Sequence, residues 1–148
     1  VNAAEPMRLR GADFGCEGGC GGILWSEVHP CRDSFSAMAL TLEELALSRK
    51  KVSEIMSGMS HYCSAVRKLP CSAQGANQAL RAIAKRYTAR KPLLLDGVRI
   101  EFEDSWVLVR QSNTEPVIRI YAESVRSSGD AAALAERFLA ELNELAEE

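Results

Sequence analysis

The sequence predicts an α+β protein, with an antiparallel sheet of about four strands packed by two helices and preceded by a smaller, partial α/β unit. Three observations lead there. From residue 61 the hydrophobic periods run strand, helix, strand, strand, strand, helix, and helices segregated from a run of strands give an α+β layer. The last strands are joined by short connections at Asp104-Ser105 and at 111–116. These suit antiparallel hairpins, because a parallel pair needs a crossover of about a dozen residues or more. Residues 1–58 read only as strand, glycine-rich loop, strand and helix, too small a core to stand comfortably alone.

In chain order, Met7 to Leu9 reads as a short strand end, and Ala12-Asp13-Phe14 leads into a turn. The run Gly15-Cys16-Glu17-Gly18-Gly19-Cys20-Gly21-Gly22 follows. So many glycines cost folding entropy and suit a backbone that turns sharply or approaches a ligand. Ile23-Leu24-Trp25 is a short apolar strand. Beyond the break at His29-Pro30-Cys31-Arg32, Asp33 or Ser34 caps a helix. Its apolar stripe is Phe35, Met38, Ala39, Leu42, Leu45 and Ala46, read as core. A second short helix covers Val52 to Met56, with Ile55 and Met59 inward and Gly58 as its end.

A composition shift at Gly58–Ser60 places a domain boundary, giving domains 1–58 and 59–148. His61 to Leu69 is a strand closed by Pro70. Ser72 caps a helix from Ala73 to Tyr87, with Ala76, Leu80, Ile83 and Tyr87 on one face. Lys85, Arg86, Arg90 and Lys91 gather at its C-terminal end, where they compensate the helix dipole. Asp96-Gly97 is a turn signal. Val98, Ile100 and Phe102 alternate with Arg99, Glu101 and Glu103, as in a half-buried strand. Trp106 to Val109 and Val117 to Glu123 are the next two strands. The last helix runs from near Ser128 to about Leu145, with Leu134, Phe138 and Leu142 on its buried face beside Ala131, Ala135 and Leu145.

The 148 residues carry a net charge of −2, with both signs interspersed. Bulk attraction to nucleic acid is therefore excluded, and any anion site must be local. No run approaches the roughly 20 apolar residues of a membrane span, and no signal peptide is visible at the first residues. The first residue is Val1, so the chain reads as a piece of a longer one. Five cysteines, an odd number, indicate a reduced cytoplasmic setting.

Three groups of residues carry possible chemistry. The first is Arg110-Gln111-Ser112-Asn113-Thr114-Glu115-Pro116 with Arg119. A guanidinium fork binds two phosphate oxygens at once, and Ser, Thr, Asn and backbone N–H groups bind the third. An ordinary polar hairpin has the same composition. The second is Glu17 with Gly18 and Gly19, a carboxylate on a glycine loop that can accept hydrogen bonds from sugar hydroxyls. The third is Cys16, Cys20, His29 and Cys31, four potential zinc ligands with an unusual His-x-Cys spacing.

The first two groups together resemble the α-D-phosphohexomutases, the superfamily of phosphomannomutase/phosphoglucomutase and phosphoglucosamine mutase. Arg110 to Pro116 running on to Arg119-Ile120-Tyr121-Ala122-Glu123 resembles the family's phosphate-binding loop, and Glu17-Gly18-Gly19 its sugar-binding loop. Glu27-Val28-His29-Pro30 and Arg32-Asp33-Ser34 resemble the segment after that loop. Asp96-Gly97-Val98-Arg99 with Asp104-Ser105-Trp106 resembles the hairpin of the last domain. The resemblance implies that Arg110, Ser112, Asn113, Thr114 and Arg119 hold the phosphate of a hexose phosphate, while Glu17, Gly18 and Gly19 meet the sugar. It further implies that 1–58 ends the family's third domain and that 59–148 is its fourth.

The family's reaction moves a phosphoryl group between C1 and C6 through a bisphosphorylated sugar, using a phosphoserine and a Mg2+ ion held by Asp-x-Asp-x-Asp. This sequence contains neither the serine in its Ser-His-Asn context nor the aspartate run. The resemblance therefore implies a substrate-gripping part that is inactive by itself, with the remaining N-terminal domains of the same enzyme as its partners and no nucleic-acid or membrane partner. Gln111 stands where proline is common in the family, and the glycine loop is one residue longer. Two other readings stay open: an isolated phosphosugar-binding or structural module, and a zinc-bearing interaction domain.

Overall fold

A computed structural model describes residues 3–17, 22–29 and 31–147, in two units, Val1–Met59 and Ser60–Glu148. The first unit opens with helix α1, Ala4–Arg10, where the sequence suggests a strand end at Met7 to Leu9. Three residues are too few to show a period, and the local charges favour a helix. Glu5 sits in the first turn, Arg8 and Arg10 in the last, and Gly11 closes it in the left-handed conformation at φ 60°.

The strand lies further on. β1, Phe14–Glu17, pairs antiparallel with β2, Gly22–Trp25, so strand structure enters both ends of the glycine run. Phe14 faces Trp25 across the pair with ring centroids 5.5 Å apart. Met7 and Leu24 are the buried apolar side chains among the described residues of this unit.

Helix α2, Ser34–Ser48, is capped by Asp33, whose carboxylate accepts from the Phe35 N–H at 2.9 Å and the Ser36 hydroxyl at 2.6 Å. Those bonds, the one from Ser36 first, hold the Asp33 carboxyl below its usual range. The stripe predicted as core is mostly exposed, however, with only Leu45 of it half-buried. Phe35 is 80% exposed, and Met38 and Leu42 are more than half exposed. The inward side carries buried Ser36, with Ala37 and Leu40 half-buried. A periodic stripe marks a face fit to be covered without saying what covers it. Helix α3, Val52–Ser57, ends at Gly58, and Met59, expected inward, is exposed.

The second unit holds four antiparallel strands in the order β3-β6-β5-β4. β3 is Cys63–Pro70, beginning two residues later than the sequence suggests. Helix α4, Ala73–Arg86, is capped by Ser72, whose hydroxyl accepts from the Gly75 N–H at 3.1 Å. A 3-10 turn at Thr88–Arg90 leads to β4, Val98–Glu101, β5, Ser105–Gln111, and β6, Val117–Ser124. Helix α5 is Ser128–Glu147.

Alternation sends Val98, Ile100, Val107, Val109, Ile118, Ile120 and Ala122 to one face, where they pack with Ala79 and Ile83 of α4 and Ala135, Phe138 and Leu142 of α5. Leu134 and Leu145, predicted as buried, are only partly so. Tyr87, which caps α4, stacks on Phe138 at 5.2 Å and donates a 2.8 Å hydrogen bond to Glu141 Oε1. At the basic end of α4, Arg86 pairs with Glu141 and Arg90 lies over the Phe102 ring. Among the described residues, no helix of this unit packs on the opposite face of the sheet.

Candidate functional site

The β5–β6 hairpin positions the polar residues. Arg110 and Gln111, read from the sequence as loop, are the last residues of β5, because Arg110 pairs with Arg119 and Gln111 with Ile118. The Ser112 N–H then donates to the Val117 carbonyl at 2.9 Å, which shortens the free loop to 113–116. A tight bond from the Val117 N–H to the Glu115 carbonyl, 2.8 Å, folds the loop back. Ser112 is 8% exposed, and its hydroxyl oxygen accepts from the Thr114 N–H at 3.4 Å. Asn113 and Thr114 are exposed at the tip. From outside the hairpin, the Cys71 N–H donates to the Pro116 carbonyl at 3.0 Å, fastening the loop to the start of α4.

Arg110, Ser112, Asn113, Thr114 and Arg119 are thus brought together on one short hairpin. Glu17 ends β1 of the other unit, paired in the strand with Gly22. Gly18 and Gly19 lie outside the described residues, as does Cys20 of the zinc candidate. Among the described residues no group of three or more His, Cys, Asp or Glu is placed to hold a metal ion. The sequence also lacks an Asp-x-Asp-x-Asp run. The described residues therefore present no cluster that fits a Mg2+ site.

Register adds residues that no local motif contains. Lys68 pairs with Arg119, which pairs with Arg110, so three cations form one row across β3, β6 and β5. Paired residues project from the same face of a sheet, and this is the face away from α4 and α5. Two carboxylates accompany the row. Glu115 Oε2 is 2.8 Å from an Arg119 terminal nitrogen and 3.2 Å from Lys68 Nζ. Hydrogen bonds from Lys68 and then Arg119 hold the Glu115 carboxyl below its usual range. Arg119 is held more firmly protonated by Tyr121 and by Glu115.

Asp96 Oδ2 stands 3.2 Å from Arg110 Nε, close enough for an ion pair but outside hydrogen-bond geometry. Gly97 makes room for the Arg110 backbone. Its φ is +87°, and a Cβ there would overlap the Val109 carbonyl and Arg110 Cβ. Among the described residues, the buried side-chain nitrogen and oxygen atoms without a hydrogen-bond partner are Nε of Arg110 and Nε of Arg119. Such donors are costly to bury unbonded. Two of them, on residues paired across the hairpin beside a Ser-Asn-Thr loop, make a place suited to an anion with several oxygens.

A separate cleft of about 480 Å³, lined by Tyr62, Arg99, Glu101, Trp106 and Glu123 among others, lies toward the other end of the sheet and includes none of the hairpin residues above.

Comparison with known proteins accounts for both units. Residues 68–141 match the family model described as phosphoglucomutase/phosphomannomutase, C-terminal domain. Residues 2–62 match phosphoglucomutase/phosphomannomutase, alpha/beta/alpha domain III.

The chain belongs to the phosphoglucomutase/phosphomannomutase family.

Among its relatives, the phosphoglucosamine mutase of Methanococcus vannielii is 32% identical over 127 residues, 84% of this chain and 28% of that protein. The phosphoglucosamine mutase of Methanocaldococcus jannaschii is 30% identical over 140 residues, 93% of this chain and 31% of that protein. The crystal structure of a phosphoglucomutase/phosphomannomutase family protein from Burkholderia thailandensis superposes with a TM-score of 0.74 at 26% identity, covering 97% of this chain and 30% of that one. The chain thus spans about three-tenths of the length of the family members it matches. The α+β class and the four-stranded antiparallel sheet expected from the sequence agree with that fold.

Proposed function

We propose that this chain is the substrate-gripping C-terminal part of a phosphohexomutase. Residues 1–58 end the third domain and 59–148 form the fourth. The β5–β6 hairpin holds the phosphate of a hexose phosphate that is not being transferred, through Arg110, Ser112, Asn113, Thr114 and Arg119. Glu17, Gly18 and Gly19 meet the sugar hydroxyls. The intact enzyme moves phosphate between C1 and C6 in the cytoplasm, and its reacting serine and Mg2+ ligands belong to its other domains.

The observation that carries this reading is the pair of buried, unbonded Nε donors of Arg110 and Arg119, two residues paired across the hairpin. Their contribution is positional. Guanidinium forks and loop donors read charge and tetrahedral geometry, so they fix one phosphate and shorten the search of the other for its acceptor. Isolated from those domains, the chain grips without transferring.

The reading is tested by titrating the 148-residue chain with a hexose 6-phosphate and following its amide shifts. Saturable shifts confined to 110–119 and the glycine loop are expected. A titration that leaves 110–119 unmoved would overturn the assignment.

A further inference from the structure

We propose that Lys68 is a third cation of this anion site and that Glu115 is an internal anion that a bound phosphate displaces. The proposal rests on the reading of the hairpin as a phosphate site and extends it to a residue on a different strand.

Lys68 lies 42 positions before Arg110 in sequence, yet the β3–β6 ladder sets it opposite Arg119. Its ammonium therefore joins a row whose other two members are Arg119 and Arg110. A lysine paired with a glutamate on a surface is ordinarily a solvated ion pair of little consequence. Two features separate this one. Glu115 is shared, with one carboxylate oxygen bridging Lys68 Nζ and the Arg119 guanidinium. It thereby does for two cations what one phosphate oxygen would do. The guanidiniums on that row also carry the buried, unbonded Nε donors, so the carboxylates leave the site incompletely satisfied.

Charge makes the exchange reasonable. Lys68, Arg119 and Arg110 against Glu115 and Asp96 leave a small positive excess. When the Glu115 side chain swings out, the excess rises and matches the two charges that a phosphate monoester carries at neutral pH. Glu115 sits on the exposed loop, with its side chain 44% accessible, so leaving requires no rearrangement of the ladder. The Lys68 ammonium, a point charge on a flexible stem, can follow the anion as it binds.

The test is titration of the 148-residue chain with inorganic phosphate, read by amide shifts at 112–119, for wild type, Lys68→Met, Lys68→Arg and Glu115→Gln. Expected are an affinity at least threefold weaker in K68M, one within twofold of wild type in K68R, and one at least twofold tighter in E115Q. Saturable binding by wild type with K68M unchanged would overturn the role of Lys68 and leave the hairpin reading standing. Absence of saturable binding by wild type would overturn both. Weaker binding in E115Q would show that Glu115 orients Arg119 and is not displaced, which also overturns the proposal. Lys68 has a half-exposed side chain on the open face. Should K68M fail to fold, Lys68→Gln takes its place with the same threefold expectation, and unchanged binding there overturns the role of Lys68.

Discussion

Arg110 and Arg119 stand directly opposite one another on β5 and β6, a like-charge cross-strand pair in the middle of a sheet. Such pairs weaken an antiparallel ladder. Here each arginine has its own carboxylate, Asp96 for Arg110 and Glu115 for Arg119, which offsets part of the repulsion. The remainder is a cost that an anion between them would relieve.

It follows that replacing one arginine should harm binding without harming the fold. Arg110→Gln is expected to leave unfolding free energy within about 1 kcal/mol of wild type, or to raise it slightly. In the intact enzyme it should raise KM and lower kcat/KM, because binding common to ground and transition states is lost. Denaturant titration beside steady-state kinetics checks both halves. A large loss of stability with normal kinetics would refute the account.

Gly97 is expected to resist even the smallest substitution. Its φ of +87° and the closeness of the Val109 carbonyl and Arg110 Cβ leave an alanine both strained and crowded. Gly97→Ala should cost about 1–3 kcal/mol and should weaken phosphate binding as well, since the strain is relieved by moving Arg110. Thermal melting and a phosphate titration of the same variant measure the two effects.

Tyr87 should impose an alkaline limit on the second unit. Burial, followed by its hydrogen bond to Glu141, raises its pKa above the ordinary value near 10. The neutral phenol is therefore the form the fold favours. Its contribution is complete below about pH 10 and is lost as pH rises through the elevated folded-state pKa. Tyr87→Phe should lower stability at neutral pH by about 1–2 kcal/mol, through loss of the bond to Glu141. It should also flatten the alkaline decline, as unfolding curves from pH 8 to 11 would reveal.

The sheet was readable because its chemistry is periodic. Val107, Val109, Ile118, Ile120 and Ala122 alternate without interruption and all turn inward. The α2 and α4 starts were readable because Asp33 and Ser72 are capping residues and act as such. Helix α1 was missed because its signals are charges and a closing glycine, with only Met7 buried. The strands flanking the glycine run were partly hidden, since glycine has no strand preference of its own and is held extended there by its partner strand. The arginines and hydroxyls of the site lie close together in sequence, and a scan along the chain finds them. Lys68 does not, because only the register of β3 on β6 brings it near Glu115, 47 positions away in sequence. The exposure of Phe35, Met38 and Leu42 was unreadable for another reason: amphipathicity describes a helix and leaves its neighbour unnamed.

That uneven distribution of buried side chains has a calorimetric consequence. The second unit has a continuous apolar core, while the described part of the first buries only Met7 and Leu24 among its apolar side chains. Heat absorbed on melting follows the number of residues that give up packed structure together, at about 0.7 kcal/mol per residue near 60 °C. A scan of this chain should therefore show one sharp peak of about 60 kcal/mol, from Ser60–Glu148. The peak should rise from a sloping baseline left by the first unit, instead of the roughly 100 kcal/mol expected if all 148 residues melted as one.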